Sequence, residues 1–234
     1  LGLTRRLPAG HHKVTLIDVV APNHIEDHED LLPKVEYVRK ALHDLRPDDL
    51  EGADVICDLA AQADVPMGFL SPIYTCWQNV MGTVAVLEAV RRMKRPPTKF
   101  IYASTGNVFG RPIYTPIDEE HPLTPHNSYA ASKASAELYC RAYRLCYGLP
   151  LVTMSNGAVI GPGMRREIFV YKWLENIALG RPVVLEGGDQ TRDLTYVDDV
   201  LDAWTLAIEA DPQKVVGEKF QVSYGEKRTV RDIL

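Results

Sequence analysis

The chain has 234 residues, of which 46% are hydrophobic and 24% are charged, and its formal net charge is −5. This composition predicts a globular protein with a substantial core, built as one large domain or as one domain and a smaller lobe. The acidic balance, without blocks of like charge, argues against binding to nucleic acid or to a membrane surface. No apolar run approaches the roughly 20 residues that a membrane-spanning helix needs.

The cysteines and histidines give little sign of disulfide or metal chemistry. The four cysteines form no C-x-x-C pair, which is typical of reduced thiols in a cytoplasmic protein. The seven histidines are scattered and contain no H-E-x-x-H motif, so we predict no metal site. We expect the protein to be cytoplasmic.

The order of the predicted elements indicates an α/β fold. Short apolar and β-branched runs alternate with longer runs whose apolar residues recur at helical spacing. Such alternation predicts a doubly wound, mostly parallel sheet with helices on both faces. Strands are predicted at residues 13–18, 35–40, 53–61, 99–104, 151–155 and 218–223, and helices at residues 73–94, 128–147, 169–180 and 196–210, with another helix beginning near residue 229.

Several side chains fall where predicted strands end, which is where a doubly wound sheet binds its ligands. Asp18 ends the first strand, and it either binds the ribose of a dinucleotide or closes a turn. Ala60 and Ala61 end the third strand, and they either let a flat cofactor approach the backbone or simply pack tightly. Ser104 and Thr105 end the fourth strand, and their hydroxyls either bond a substrate oxygen or form a Ser/Thr turn.

A polar amide, Asn79, lies inside the apolar helical run at residues 73–94. A buried amide needs hydrogen-bond partners. Asn79 therefore either holds the backbone near the strand ends or faces water, and the sequence leaves both possibilities open.

The segment SYAASKASAEL begins the predicted helix at residues 128–147. It is either an alanine-rich helix start capped by Ser128, or the site of a catalytic pair formed by Tyr129 and Lys133. Residues four apart share one helix face. A nearby ammonium group and the positive end of a helix both favour the phenolate form of a tyrosine. Tyr129 is thus placed to act as a general base whose pKa Lys133 lowers.

Taken together, these residues and several motifs resemble the extended short-chain dehydrogenase/reductases, and among them the NAD-dependent epimerase/dehydratase family that acts on nucleotide sugars. The matching segments are LAAQADV, NVMGTVAVLEAV, STGNVFG, SYAASKASAE, IGPGMR and RDLTYVDDV, in the family's order along nearly the whole chain. The resemblance implies a Rossmann-type NAD-binding domain at residues 1–155. It implies an incomplete substrate-binding lobe at residues 156–234, with a strand near residues 219–223 returning to the sheet.

The resemblance also implies that the chain is incomplete at both ends, because the family's glycine-rich phosphate loop would precede residue 1. It implies a homodimer as well, with the helices at residues 71–92 and 128–147 at the interface.

The resemblance implies a role for each matching residue. Tyr129 would take the proton of a sugar hydroxyl, Thr105 would hydrogen-bond the same hydroxyl, and Lys133 would hold the nicotinamide ribose. Arg192 would bind the substrate pyrophosphate, for which a planar guanidinium is suited; its alternative is an ion pair with a neighbour such as Asp193. The residues implied to line the NAD site are Asp18, Asp44, Leu45, Ala60, Ala61, Gln62, Asn79, Ser104, Tyr129 and Lys133.

The reaction implied is the 4-epimerisation of a nucleotide sugar, specifically a UDP-sugar, with NAD as the cofactor. Family members that dehydrate or decarboxylate their substrate commonly carry acidic residues directly after the position of Thr105, whereas this chain has Gly106 and Asn107. Three alternatives stay open: a dehydratase or decarboxylase, a one-way carbonyl reductase, and a non-catalytic protein that senses a dinucleotide.

Overall fold

A computed structural model describes residues 2–9, 12–25, 28–185 and 187–234. The strands are β1 Thr15–Asp18, β2 Glu36–Arg39, β3 Val55–Asp58, β4 Lys99–Thr105, β5 Leu151–Asn156, β6 Ala158–Ile160, β7 Thr191–Arg192, β8 Leu194–Tyr196, β9 Lys219–Val222 and β10 Arg228–Thr229. The helices are α1 Gly2–Ala9, α2 His28–Leu31, α3 Pro47–Leu50, α4 Val65–Leu70, α5 Pro72–Cys76, α6 Gly82–Arg91, α7 Ser128–Tyr147, α8 Phe169–Ala178, α9 Val197–Glu209, α10 Pro212–Val215 and α11 Val230–Ile233. None of the described helices is both long enough and apolar enough to cross a membrane.

Parallel pairing dominates the strands. The largest sheet has the order β3-β4-β5-β9, and all its neighbours are parallel. β1 and β2 form a second parallel pair, β6 and β8 a third, and β7 and β10 pair antiparallel. Parallel neighbours need crossover connections, and helices between the strands of the largest sheet supply them. The predicted α/β fold with a parallel sheet is therefore confirmed.

Strand β4 shows how the core is divided between the two faces of the sheet. Successive side chains of a strand point to opposite faces, and most of β4 is buried. Phe100 and Tyr102 pack with residues of α6 and α7, whereas Ile101 and Ala103 pack with residues of α1 and α9. A strand covered on both faces has a continuous apolar sequence instead of an alternating one. The sheet is thus the middle layer of three.

Two helices differ in detail from the prediction. The predicted helix at residues 73–94 is α5 and α6 joined by a π-helical turn, Trp77–Met81. Helix α7 has the predicted bounds, and it ends at Gly148, whose φ of +71° favours glycine. The predicted cap at Ser128 is wrong. Asn127 has the extended backbone of a cap, and its side chain accepts a hydrogen bond from the Ala130 N–H at 2.8 Å.

Candidate active site

The carboxyl ends of β3, β4 and β5 lie side by side because these strands are parallel and adjacent. Asp58, the last residue of β3, is opposite Tyr102 of β4, and Thr105, the last residue of β4, is opposite Asn156 of β5. The N-terminus of α7 meets this edge and brings Tyr129 to Thr105. Residues far apart in the sequence are thus gathered at one edge of the sheet.

The Thr105 hydroxyl lies near the Tyr129 phenol and lowers its pKa. The Thr105 hydroxyl also accepts a hydrogen bond from the Asn107 N–H at 3.3 Å. Burial raises the pKa of Tyr129, and the Thr105 hydroxyl and the positive charge of Arg165 lower it. Arg165 belongs to the IGPGMR motif, but the sequence assigns it no role. The net effect is a raised pKa, because burial outweighs the hydroxyl and the cation, which favour loss of the proton.

Lys133 lies one turn along α7 from Tyr129 and is only 3% exposed. Its Nζ is 4.3 Å from the centre of the Tyr102 ring, and the Tyr102 hydroxyl donates to the Lys133 carbonyl oxygen at 3.2 Å. We predicted that Lys133 lowers the pKa of Tyr129. In the structure, the groups that lower this pKa are Thr105 and Arg165. The ammonium group is directed at the Tyr102 ring, which is a favourable cation–π contact.

The loop after β3 is held by Asn79, which is buried in the π-helical turn. The Asn79 Oδ1 accepts from the Gln62 N–H at 2.7 Å, and its Nδ2 donates to the Gln62 carbonyl at 3.0 Å. The same Nδ2 donates to the Ser132 hydroxyl of α7 at 2.8 Å. Of the two possibilities left open, the structure selects the one in which Asn79 holds backbone near the strand ends. The loop keeps the small side chains of Ala60 and Ala61 exposed.

The side chain of Gln62 is used within the same loop. Its Oε1 accepts from the Thr75 hydroxyl at 3.1 Å, and its Nε2 donates to the Asp64 carbonyl at 3.0 Å. The Asp64 carboxylate in turn caps α4 by accepting from the Met67 N–H at 3.2 Å. These bonds fix the shape of the loop at residues 60–64.

Ser104 is buried and turned toward α7. Its hydroxyl donates to Glu137 Oε2 at 2.6 Å, and the Lys219 ammonium contacts Glu137 Oε1 at 2.8 Å. Of the two strand-end hydroxyls, only that of Thr105 meets Tyr129. Glu137 was not among the predicted site residues, although its position one turn beyond Lys133 places it on the same helix face.

The residues predicted to bind adenosine follow β1 and β2. Asp18 is exposed at the end of β1, and its Oδ1 accepts from the Val20 N–H at 3.0 Å, which closes a turn. Asp44 is exposed on the turn Leu42–Asp44, and Leu45 is half-buried against the core. An exposed carboxylate that ends a parallel strand fits the ribose-binding role.

Arg192, the predicted pyrophosphate ligand, is exposed on β7. Its Nη1 donates to the Thr191 carbonyl at 2.8 Å. The Asp193 carboxylate accepts from the backbone N–H groups of Tyr224 at 3.2 Å and Gly225 at 2.9 Å. The alternative of an Arg192–Asp193 ion pair is therefore not realised between these two described residues.

The fold and this arrangement of residues match one protein family. The model of the NAD dependent epimerase/dehydratase family matches residues 2–223. The chain belongs to this family. The predicted resemblance is confirmed, and the family is one of NAD-dependent enzymes.

Relatives within the family include both epimerases and dehydratases. A putative UDP-glucose 4-epimerase of Methanocaldococcus jannaschii is 33% identical over 187 residues, which cover 75% of this chain and 60% of the relative. The human dTDP-D-glucose 4,6-dehydratase is 32% identical over 177 residues, which cover 74% of this chain and 50% of the relative. The chain thus spans 60% and 50% of the lengths of these two relatives.

A solved structure confirms the Rossmann-type fold. The UDP-glucuronic acid 4-epimerase from Bacillus cereus, in complex with UDP-glucuronic acid and NAD, superposes with a TM-score of 0.89 at 25% sequence identity. The match covers 99% of this chain and 76% of that enzyme.

Proposed function

We propose that this chain is the NAD-binding and catalytic part of a nucleotide-sugar 4-epimerase that acts on a UDP-sugar. The observation that carries the proposal is the placement of the Thr105 hydroxyl near the Tyr129 phenol at the end of β4, followed by Gly106 and Asn107 in place of carboxylates. Two relatives named above support the choice, since their names give UDP-glucose and UDP-glucuronic acid as the sugars that they epimerise.

The residues at the strand ends fit NAD. We assign Asp18 to the adenosine ribose, because an acidic residue at the end of a strand in this fold binds the ribose hydroxyls. Asp44 and Leu45 are assigned to the adenine side. Ala60 and Ala61 are small and exposed, so they let the backbone approach a flat ligand. The other assigned positions are Gln62, Asn79, Ser104, Tyr129 and Lys133.

The proposed mechanism depends on proton transfer at the C4 hydroxyl of the sugar. When bound, NAD supplies the acceptor and the donor of the hydride at C4. Tyr129, in its phenolate form, takes the proton of the C4 hydroxyl, and Thr105 hydrogen-bonds the same hydroxyl. The 4-keto sugar then rotates in the site and presents its other face. Tyr129 returns the proton to the C4 oxygen, so that the reaction has no net loss of a proton or a hydride. Arg192 binds the pyrophosphate oxygens through its guanidinium.

The absence of carboxylates at Gly106 and Asn107 favours epimerisation over dehydration. Loss of water from a 4-keto sugar requires a group that removes a proton from carbon and a group that protonates the leaving hydroxyl. Glycine has no side chain, and the Asn107 amide cannot act as a carboxylic acid. Epimerisation at C4 needs neither group, because the same tyrosine serves both directions.

The test is a product analysis with the full-length protein, NAD, and UDP-hexose, UDP-pentose and UDP-uronic acid substrates. We expect interconversion of one pair of 4-epimers without net change in absorbance at the NADH band. The Tyr129→Phe variant should fold normally and lose most turnover. A 4-keto-6-deoxy product would identify a dehydratase, and net NADH turnover would identify a reductase. Full function of the Tyr129→Phe variant would identify a non-catalytic sensor. Each of these outcomes, or no conversion of any pair, would reject the proposal.

We also propose a cytoplasmic homodimer formed through the helices at residues 71–92 and 128–147. Large apolar side chains are exposed on these helices, including Ile73 at 84% and Leu145 at 85%. Contiguous exposed apolar side chains mark interaction surfaces. All four cysteines are unpaired, which agrees with a reducing compartment.

A further inference from the structure

The proposed mechanism gives no role to Asp58, a buried carboxylate near the candidate catalytic lysine. Asp58 ends β3 and is 4% exposed. It is opposite Tyr102 in the sheet, and the Lys133 Nζ lies 4.3 Å from the centre of the Tyr102 ring. Partners in a parallel pair point to the same face of the sheet, so Asp58 and Tyr102 both face the helix that bears Lys133.

The hydrogen bonds of Asp58 leave one oxygen without a partner. Its Oδ2 accepts from the Thr83 hydroxyl at 2.9 Å, and the nearby Ala60 N–H opposes the rise of the Asp58 pKa that burial causes. Its Oδ1 is shielded from solvent and has no hydrogen-bond partner in the described part of the chain. A buried acceptor without a partner destabilises a fold. A contribution to the stability of the fold therefore does not explain why residue 58 is a carboxylate.

Lys133 needs a counter-charge, because an ammonium ion buried without one is strongly disfavoured. The titratable and charged groups that face it are Asp58 from β3, Tyr102 from β4, and Glu137 and Cys140 from α7 itself. Burial keeps the Cys140 thiol neutral by raising its pKa. Glu137 already pairs with the Lys219 ammonium at 2.8 Å. Asp58 is therefore the carboxylate best placed to compensate the charge of Lys133.

The electrostatics agree with this geometry. Burial lowers the pKa of Lys133, and the negative charge of Asp58 opposes that change. Burial raises the pKa of Asp58, and the positive charge of Lys133 opposes it in turn. Each group thus favours the charged form of the other.

We propose that Asp58 is a positioning residue, whose carboxylate is the buried counter-charge that keeps Lys133 as an ammonium ion over the Tyr102 ring. A charged Lys133 has three N–H donors and makes charge-assisted hydrogen bonds, so it holds ribose hydroxyls more strongly than a neutral amine would. The catalytic consequence rests on the proposed function, whereas the coupling between Asp58 and Lys133 is a property of the folded chain that is measurable without substrate.

The first test is an NMR titration of the full-length protein with ¹³C-labelled lysine side chains. The Lys133 signal is assigned by its loss in Lys133→Met. In Asp58→Asn, which keeps the size and removes the charge, we expect the Lys133 titration midpoint to move to lower pH. Glu137→Gln is the matched control, because it removes a buried carboxylate that already has another cation, and it should move the midpoint less. An Asp58→Asn shift no larger than the control shift overturns the proposal.

A reciprocal titration covers the case in which Asp58→Asn does not fold. The coupling between two sites is the same from either side. In Lys133→Met with ¹³C-labelled aspartate, the midpoint of Asp58 should therefore move to higher pH. An unchanged Asp58 midpoint overturns the proposal.

The catalytic readout is the pH profile of turnover. We expect Asp58→Asn to lower kcat about tenfold near pH 7, with partial recovery at lower pH, where Lys133 regains its proton. A purely structural role would lower kcat equally at every pH, and that result contradicts the proposal. If the wild-type protein converts no nucleotide sugar, the proposed function fails, and the NMR titrations still decide the role of Asp58.

Discussion

The Thr105 hydroxyl is oriented by the backbone that follows it. Its oxygen accepts a hydrogen bond from the Asn107 N–H at 3.3 Å, and the same hydroxyl lowers the pKa of the Tyr129 phenol. A donated hydrogen bond stabilises a phenolate more than a phenol. One threonine at a strand end thus opposes the effect of burial on the pKa of Tyr129.

Removal of this donor should change the pH dependence of the reaction. In Thr105→Val the pKa of Tyr129 should rise, because the hydroxyl that lowers it is lost. A base acts in its deprotonated form, so the ascending limb of kcat/KM against pH should move to higher pH, with about tenfold less activity near pH 7. Thr105→Ser keeps the donor and should leave the limb in place. An unshifted limb in Thr105→Val would show that Thr105 does not control the base.

Asn79 should matter for both stability and cofactor affinity. Asn79→Leu leaves the N–H and carbonyl of Gln62 without their partner, which should lower the free energy of unfolding by about 1–3 kcal/mol. The loosened loop should also weaken NAD binding. Urea unfolding and a fluorescence titration with NAD measure the two effects. Gln78→Leu, in the same turn, is the matched control, and equal results for both variants would contradict the role of Asn79.

At the scale of elements, α7 carries most of the site. Tyr129, Lys133 and Glu137 recur at intervals of four and share one face of the helix. They meet Thr105 of β4, the Tyr102 ring and Lys219 of β9, respectively. A single rigid helix therefore sets the spacing between the phenol of Tyr129, the ammonium group of Lys133 and the buried carboxylate of Glu137.

The start of α7 depends on Asn127. Asn127→Ala should lower the free energy of unfolding by about 1 kcal/mol, because the N–H of Ala130 loses its acceptor. Ser128→Ala should cost clearly less, because Ser128 lies inside the first turn. Urea unfolding of both variants decides the matter. A larger loss for Ser128→Ala would mean that the helix begins one residue later in solution.

The sequence predicts α7 to the residue because Gly148 and Pro150 stop it, but it does not identify the cap. Asn127 and Ser128 are both favoured caps, and only the backbone angles separate them. The strands β6, β7, β8 and β10 have two or three residues each, too few for a period to be visible.

The site shows the same division between local and long-range signals. The spacing of Tyr129 and Lys133 is local and visible in the sequence. The roles of Asp58 and Arg165 arise only when distant segments meet α7.

At the scale of the molecule, the exposed apolar helices should determine assembly. Ile73→Arg, on α5, should convert the proposed dimer to a monomer, because a charge in an apolar interface is costly. Leu206→Arg is the matched control, since Leu206 is 69% exposed on α9, outside the proposed interface. Light scattering after size exclusion measures the mass. Equal masses for the two variants would place the interface elsewhere or exclude a dimer.

The order of the strands also has a consequence for synthesis on the ribosome. β9 completes the sheet beside β5, although residues 157–218 separate the two strands. At ~5–20 residues per second, a newly made β5 would wait several seconds for its neighbour. During that time its unpaired edge could bind another chain, and Glu137 would lack Lys219. The last strand of this four-stranded sheet thus both completes the sheet and brings Lys219 to the buried Glu137 carboxylate of α7.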